Sequence, residues 1–162
     1  MKNIIVTGGS KGIGRCLVEK LAEDGHNVLL VYNKSVKQSK EIQETLQKKG
    51  INIEIYKTDV SKREEVKKMI DFAIKKLGNI DVLINNAGIA KVQMFTDTTD
   101  DDWNEMLATN LNSVFYATQE VLENMIHNKS GCIINISSIW GQTGASCEVS
   151  YSVSKARGRW ID

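Results

Sequence analysis

A tyrosine and a lysine stand four residues apart in the stretch YSVSK, Tyr151 to Lys155. On a helix, positions i and i+4 share a face, so phenol and ammonium point the same way. A free phenol, with a pKa of about 10, is a poor base at neutral pH. A neighbouring ammonium favours the phenolate and lowers that value. Such a pair can pass a proton to or from the oxygen of a ketone or an alcohol. Ser138, thirteen residues earlier, can bond the same oxygen. The spacing alone is common by chance, and its meaning depends on the elements around it.

A second stretch suited to chemistry is TGGSKGIG, residues 7–14. Gly8, Gly12 and Gly14 follow G-x-x-x-G-x-G, with Ser10, Lys11 and Ile13 between them. Glycines in such a loop let backbone amides approach a pyrophosphate and let a helix pack closely on a strand. The helix N-terminus then offers unpaired N–H groups and a positive dipole end. The segment therefore predicts a dinucleotide site. An acidic residue about 20 positions further on would mark NAD. Residues 26–40, HNVLLVYNKSVKQSK, contain neither Asp nor Glu. Asn33 and Lys34 follow the second strand instead, and both Lys34 and Lys11 suit a 2′-phosphate. The expected cofactor is NADP(H); the plainer alternative is that both lysines are solvated surface charges. Asp59, followed by Val60, can accept from an adenine amino group.

NNAG, residues 85–88, follows the fourth strand. Asn86, Ala87 and Gly88 are expected on the cofactor wall, although Asn85 and Asn86 are also ordinary turn residues. Asn110 falls on an apolar stripe beside Leu107, Leu111 and Val114. A buried amide without partners is costly, so Asn110 is expected to hold backbone groups or an ordered water, with Thr109 beside it.

The elements that must position these residues follow from hydrophobic periodicity. Strands are predicted over 3–7, 27–32, 51–56, 80–85 and 132–137. Helices are predicted over about 13–24, 36–49, 62–77 and 100–127, with another starting near Glu148. Ser61 and Glu64 have capping-box spacing for the third helix. The long helix presents Trp103, Leu107, Leu111, Val114, Phe115, Val121, Leu122 and Met125 as its apolar face. Alternating strands and helices imply crossovers and a parallel sheet. Strands apolar nearly throughout, such as VLLVY, imply helices on both sides. The fold class is α/β, a Rossmann-like doubly wound parallel sheet of order 3-2-1-4-5. Residues 1–162 read as one dinucleotide-binding domain. The crevice of such a sheet opens at the carboxyl ends of strands one and four, where TGGSKGIG and NNAG both stand.

Bulk composition narrows the partners. The 162 residues are 41% hydrophobic and 25% charged, with a formal net charge of +1, so nothing argues for nucleic acid or an anionic membrane. No apolar run approaches a membrane span. MKNIIVTGG is a first strand rather than a signal peptide, and a cytoplasmic location is expected. Cys16, Cys132 and Cys147 lack disulfide or zinc spacing, so no metal is expected; Cys16 and Cys132 read as core filler. His26 and His127 read as surface residues. No proline occurs in the chain.

In order and spacing, TGGSKGIG, NNAG, Asn110, Ser138 and Tyr151-x-x-x-Lys155 resemble the short-chain dehydrogenase/reductase family, over essentially residues 1–156. SSIWGQTGASCEVSYSVSK is similar to the 3-oxoacyl-[acyl-carrier-protein] reductase branch, which implies NADPH-dependent reduction of 3-oxoacyl thioesters in fatty acid biosynthesis. The resemblance implies that Tyr151 is the acid/base and that Ser138 orients the substrate oxygen. It implies that Lys155 binds the nicotinamide ribose and lowers the tyrosine pKa, and that Asn110 holds a relay water. The implied substrate is a small-molecule or carrier-protein-bound ketone, and full-length members are homo-oligomers, with a dimer one outcome for this chain.

The resemblance also implies further strands and helices beyond Lys155, so a shortened member is expected. The tail ARGRWID departs from the implied Gly-Ala-Val run. With permitted codons a shifted frame through it reads Gly-Ala-Val-Asp, so a frameshift is one expected origin of this C-terminus. Such a chain would expose a strand edge and apolar helix faces. The alternative to an active ketoreductase is then a catalytically inactive NADP-binding remnant.

Overall fold

The computed structural model describes residues 1–157; expectations about the tail beyond lie outside the described residues. Five strands form one parallel sheet: β1 (Asn3–Thr7), β2 (Asn27–Tyr32), β3 (Glu54–Lys57), β4 (Val82–Asn85) and β5 (Cys132–Asn135), in the order β3-β2-β1-β4-β5. The register is in phase along the centre, with Ile5 opposite Leu29 and Leu83. The helices are α1 (Gly12–Glu23), α2 (Val36–Lys48), α3 (Arg63–Leu77), α4 (Asp100–Leu107), α5 (Ser113–His127), α6 (Trp140–Thr143) and α7 (Val149–Arg157).

Alternation along the strands divides the core in two. Ile5, Leu29, Val31 and Leu83 point to one face, where Val66, Met69 and Ile70 of α3 and Ala117, Val121 and Met125 of α5 cover them. Ile4, Val6, Val28, Leu30 and Ile84 point to the other, under Val18 and Ala22 of α1 and Ile42 and Leu46 of α2. Strand residues buried on both sides are what a doubly wound sheet requires.

Several local expectations are corrected. β3 begins at Glu54, because pairing with β2 starts where Leu29 meets Glu54; Ile53 is buried, and its carbonyl accepts from the Gln43 amide at 2.9 Å. The Ser61–Glu64 capping box does not form. The Ser61 hydroxyl turns to Asp59 at 2.7 Å, and Glu65 rather than Glu64 accepts from the Asp59 N–H at 2.8 Å. The long helix is interrupted by a π-turn over Ala108–Asn112. Each wide turn shifts the helical phase, so Phe115 and Leu122 lie outside the buried face. Cys16 is exposed because α1 buries Gly14, Val18 and Ala22, and position 16 faces away from them. Cys132 is exposed on β5, which has a neighbour on one side only among the described residues. The short helix α6 has no counterpart in the periodicity.

Candidate active site

The carboxyl ends of β1 to β4 converge on a cleft of about 420 Å³. Its lining comes from Gly8 and Lys11 after β1, Asn33 and Lys34 after β2, Asp59 and Val60 after β3, and Ala87 and Gly88 after β4. Thr58, Ile89, Glu105 and Thr109 also face it. Strand order reverses between β1 and β4, and such a switch point is where open α/β sheets bind ligands.

The loop after β1 is built by close backbone approach. Gly8 has φ +65°, and a Cβ there would lie 2.8 Å from Ala87 Cα. A Cβ on Gly14 would collide with the Gly8 carbonyl and the Asn86 amide. A Cβ on Gly9 would press on Val18 and Leu30, so this glycine sets the contact of α1 with the sheet. Lys11 precedes α1 in extended conformation and provides no side-chain cap, and the first turn of α1 holds no acid. The uncapped N–H groups, on a loop that Gly8 and Gly14 let pack tightly against the loop after β4, fit a pyrophosphate.

Thr7 and Asn86 hold the two loops together. The Thr7 hydroxyl accepts from the N–H groups of Asn86 at 3.0 Å and Ala87 at 3.1 Å. The Asn86 amide donates to the carbonyls of Thr7 at 3.0 Å and Gly8 at 3.1 Å. Asn86 therefore braces the cleft from behind and does not line it. Ser10 is buried in the loop, and Gly12, Ile13 and Gly14 form the first turn of α1, with Ile13 exposed.

Asp59 faces the cleft with its carboxylate already engaged. Partial burial pushes its pKa up, but bonds from the Ser61 hydroxyl and N–H, with Lys62 nearby, outweigh this and hold it below the ordinary value. The hydroxyl of Thr58, also on the cleft, is buried without a partner among the described residues. An unpaired buried hydroxyl, two lysines and the glycine cradle all suit a phosphate-bearing polar ligand.

α7 carries the tyrosine and the lysine on one face. The Lys155 ammonium lies 5.9 Å from the centroid of the Tyr151 ring and donates to the Ile136 carbonyl at 2.9 Å. Tyr151 is half-buried, whereas Lys155 is 8% exposed. Burial pushes the Lys155 ammonium below its ordinary pKa. Ser138 stands two residues before α6, its hydroxyl oxygen accepting from the Trp140 N–H at 3.2 Å, and α6 packs directly on α7. That acceptor role leaves the Ser138 proton to be donated elsewhere.

Asn110 lies in the π-turn, 2% exposed, and links cleft to helix. Its Oδ1 accepts from the Ile89 N–H at 2.8 Å, while its Nδ2 donates to the Ile89 carbonyl at 2.9 Å and to the Ser154 hydroxyl at 3.0 Å. Ser154 in turn donates to the Tyr151 carbonyl at 2.7 Å. The buried amide thus holds backbone groups, tying the loop after NNAG to the helix of Tyr151. Thr7, Gly9 and Ser154 were not singled out from the sequence; a serine on the inner face of a short helix, three residues after the tyrosine, was the available signal for Ser154.

A parallel sheet of this order, with a glycine-lined cleft at its switch point and a Tyr–Lys pair on α7, defines a doubly wound α/β fold of the Rossmann type. The short chain dehydrogenase family model matches residues 2–159, and the chain belongs to that family. It is 37% identical over 155 residues to a 3-oxoacyl-[acyl-carrier-protein] reductase of Staphylococcus epidermidis, covering 96% of this chain and 64% of that protein. It is 39% identical to an uncharacterized oxidoreductase of Bacillus subtilis, covering 95% of this chain and 63% of that protein. A mutant short-chain dehydrogenase/reductase of Serratia marcescens superposes with a TM-score of 0.90 at 31% identity, over 96% of this chain and 63% of that one. The chain thus spans slightly less than two thirds of the length of these relatives.

Proposed function

We propose that this chain forms the cofactor-binding and catalytic portion of an NADPH-dependent ketoreductase whose substrate is a 3-oxoacyl thioester. The observation that carries the proposal is Lys155: buried, fixed to the Ile136 carbonyl just after β5, and sharing a face of α7 with Tyr151 beside a cleft that holds Lys11 and Lys34. Gly8, Gly12, Gly14 and the first turn of α1, with Ser10 and Ile13, would receive the pyrophosphate. Asn33 and Lys34, with Lys11, would take the 2′-phosphate. Asp59 and Val60 would border the adenine, and Ala87 and Gly88 would border the nicotinamide half. When bound, the nicotinamide supplies a hydride to the ketone carbon.

The chain's own groups handle the proton. The Tyr151 phenol donates to the carbonyl oxygen as negative charge develops there. The Ser138 hydroxyl bonds the same oxygen and fixes its direction. The Lys155 ammonium favours the phenolate left behind and holds the nicotinamide ribose. Asn110 keeps α7 in register with the cofactor wall. The same proposal places the chain in the cytoplasm and in fatty acid biosynthesis, acting on free or carrier-bound ketones. Exposed Phe115, Leu122 and Ile126 on α5 support self-association.

The test is turnover by the full chain. With NADPH and acetoacetyl coenzyme A, reduced nicotinamide should be consumed, and Tyr151→Phe should lower the rate by at least about a hundredfold, the scale of a lost general acid. Nucleotide binding without turnover above the Tyr151→Phe background would reject a reductase and leave a cofactor-binding protein.

A further inference from the structure

Lys155 is held at both ends. Its ammonium donates to the Ile136 carbonyl at 2.9 Å, and its own carbonyl accepts from the Ser137 hydroxyl at 3.0 Å. The two partners are consecutive residues directly after β5. A third contact closes the same seat. A Cβ on Gly141 would lie 2.8 Å from the Lys155 carbonyl carbon and 2.9 Å from its oxygen, so α6 meets α7 backbone to backbone at this residue. Ser138 stands between these contacts, next to Ser137 in the chain.

We infer that Ser137 is a positioning residue, whose hydroxyl fixes the depth of Lys155 and the register of α7 against β5. This goes beyond the roles proposed above and rests on Lys155 acting there on Tyr151. The bond comes from outside α7, so it serves the placement of the helix rather than its formation. A slide of α7 by a fraction of a turn would break it together with the ammonium bond to Ile136. Because Ser137 and Ser138 are consecutive, fixing the first against α7 also fixes the second relative to Tyr151. Hydrogen-bond donors that hold a reacting group within a fraction of an ångström are what a preorganised site requires.

Three variants of the full chain test this: Ser137→Ala, Ser137→Cys and Ser137→Thr. The Lys155 ammonium resonance is followed in chains with 15N-labelled lysine, assigned by its loss in Lys155→Met, alongside thermal melts and NADPH titrations. Ser137→Ala and Ser137→Cys should move that resonance toward those of the exposed lysines. They should also weaken NADPH binding about tenfold, the scale of one lost hydrogen bond. Ser137→Thr, which keeps the hydroxyl, should restore both. An unmoved Lys155 resonance in the Ala and Cys variants, with only the melting temperature lowered, would reduce Ser137 to packing and overturn the inference. Should Ser137→Ala not fold, the near-isosteric Cys variant decides. Should the wild-type chain bind no NADPH, the cofactor proposal fails, while the resonance measured without nucleotide still decides the role of Ser137.

Discussion

Two glycines of one loop should respond differently to the same change. A Cβ on Gly12 meets nothing within 4 Å, but its φ of +51° is left-handed, so Gly12→Ala should cost about 1–2 kcal/mol of backbone strain. A Cβ on Gly14 meets the Gly8 carbonyl, so Gly14→Ala must displace the loop and should cost about 3 kcal/mol or more. Urea midpoints separate the two, and equal losses would contradict the geometry. Lys155 gives a second residue-level prediction. Burial depresses its pKa below the ordinary 10.5, so between those values the unfolded chain binds a proton that the native chain does not. Native stability therefore gains as pH rises through that window. The stability of the wild type relative to Lys155→Met should grow as pH rises toward about pH 10, and a pH-independent difference would refute the burial effect. Tyr151, Lys155, Ser138 and Asn110 were legible as candidates because their types and order along the chain put them at one end of the sheet. Thr7 and Ser154 were not, because their partners are largely backbone groups, which any sequence supplies.

Between elements, the joint of β1 with β4 is the part of the site most exposed to test. Thr7→Val deletes the acceptor of two N–H groups, those of Asn86 and Ala87. Stranding buried donors costs about 1–3 kcal/mol each when nothing replaces the partner. Thr7→Val should therefore lower the melting temperature and weaken nucleotide binding, while Thr7→Ser should preserve both. Full recovery of stability in Thr7→Val would show that the hydroxyl is dispensable. Strand and helix positions were readable from periodicity to within a few residues, since the two core faces are made by alternation and by helical spacing. The π-turn was not. One stripe drawn from Trp103 to Met125 assumes constant phase, and the wide turn at Ala108–Asn112 breaks it, rotating Phe115 and Leu122 outward. The Ser61–Glu64 box failed for a related reason: Asp59 competes for the Ser61 hydroxyl at closer range.

At the scale of the whole molecule, one side of the sheet edge carries apolar surface. Leu122, Met125, Ile126 and Ile133 line a groove between α5 and β5 of about 670 Å³, and Ile126 is 70% exposed. Sedimentation should show self-association of the wild type that Ile126→Lys shifts toward the monomer without loss of nucleotide binding; a monomeric wild type would end that expectation. The cleft is the opposite case, since the ends of four strands build it from within the described residues. A thermal melt of the chain alone, with NADPH and with NADH tests the central claim most directly. A ligand that binds only the native state adds about 2.7 kcal/mol at a hundredfold excess over its Kd. The account predicts a cooperative transition raised clearly more by NADPH than by NADH, with the preference lost in Lys11→Ala/Lys34→Ala. An unshifted transition with either nucleotide would contradict it.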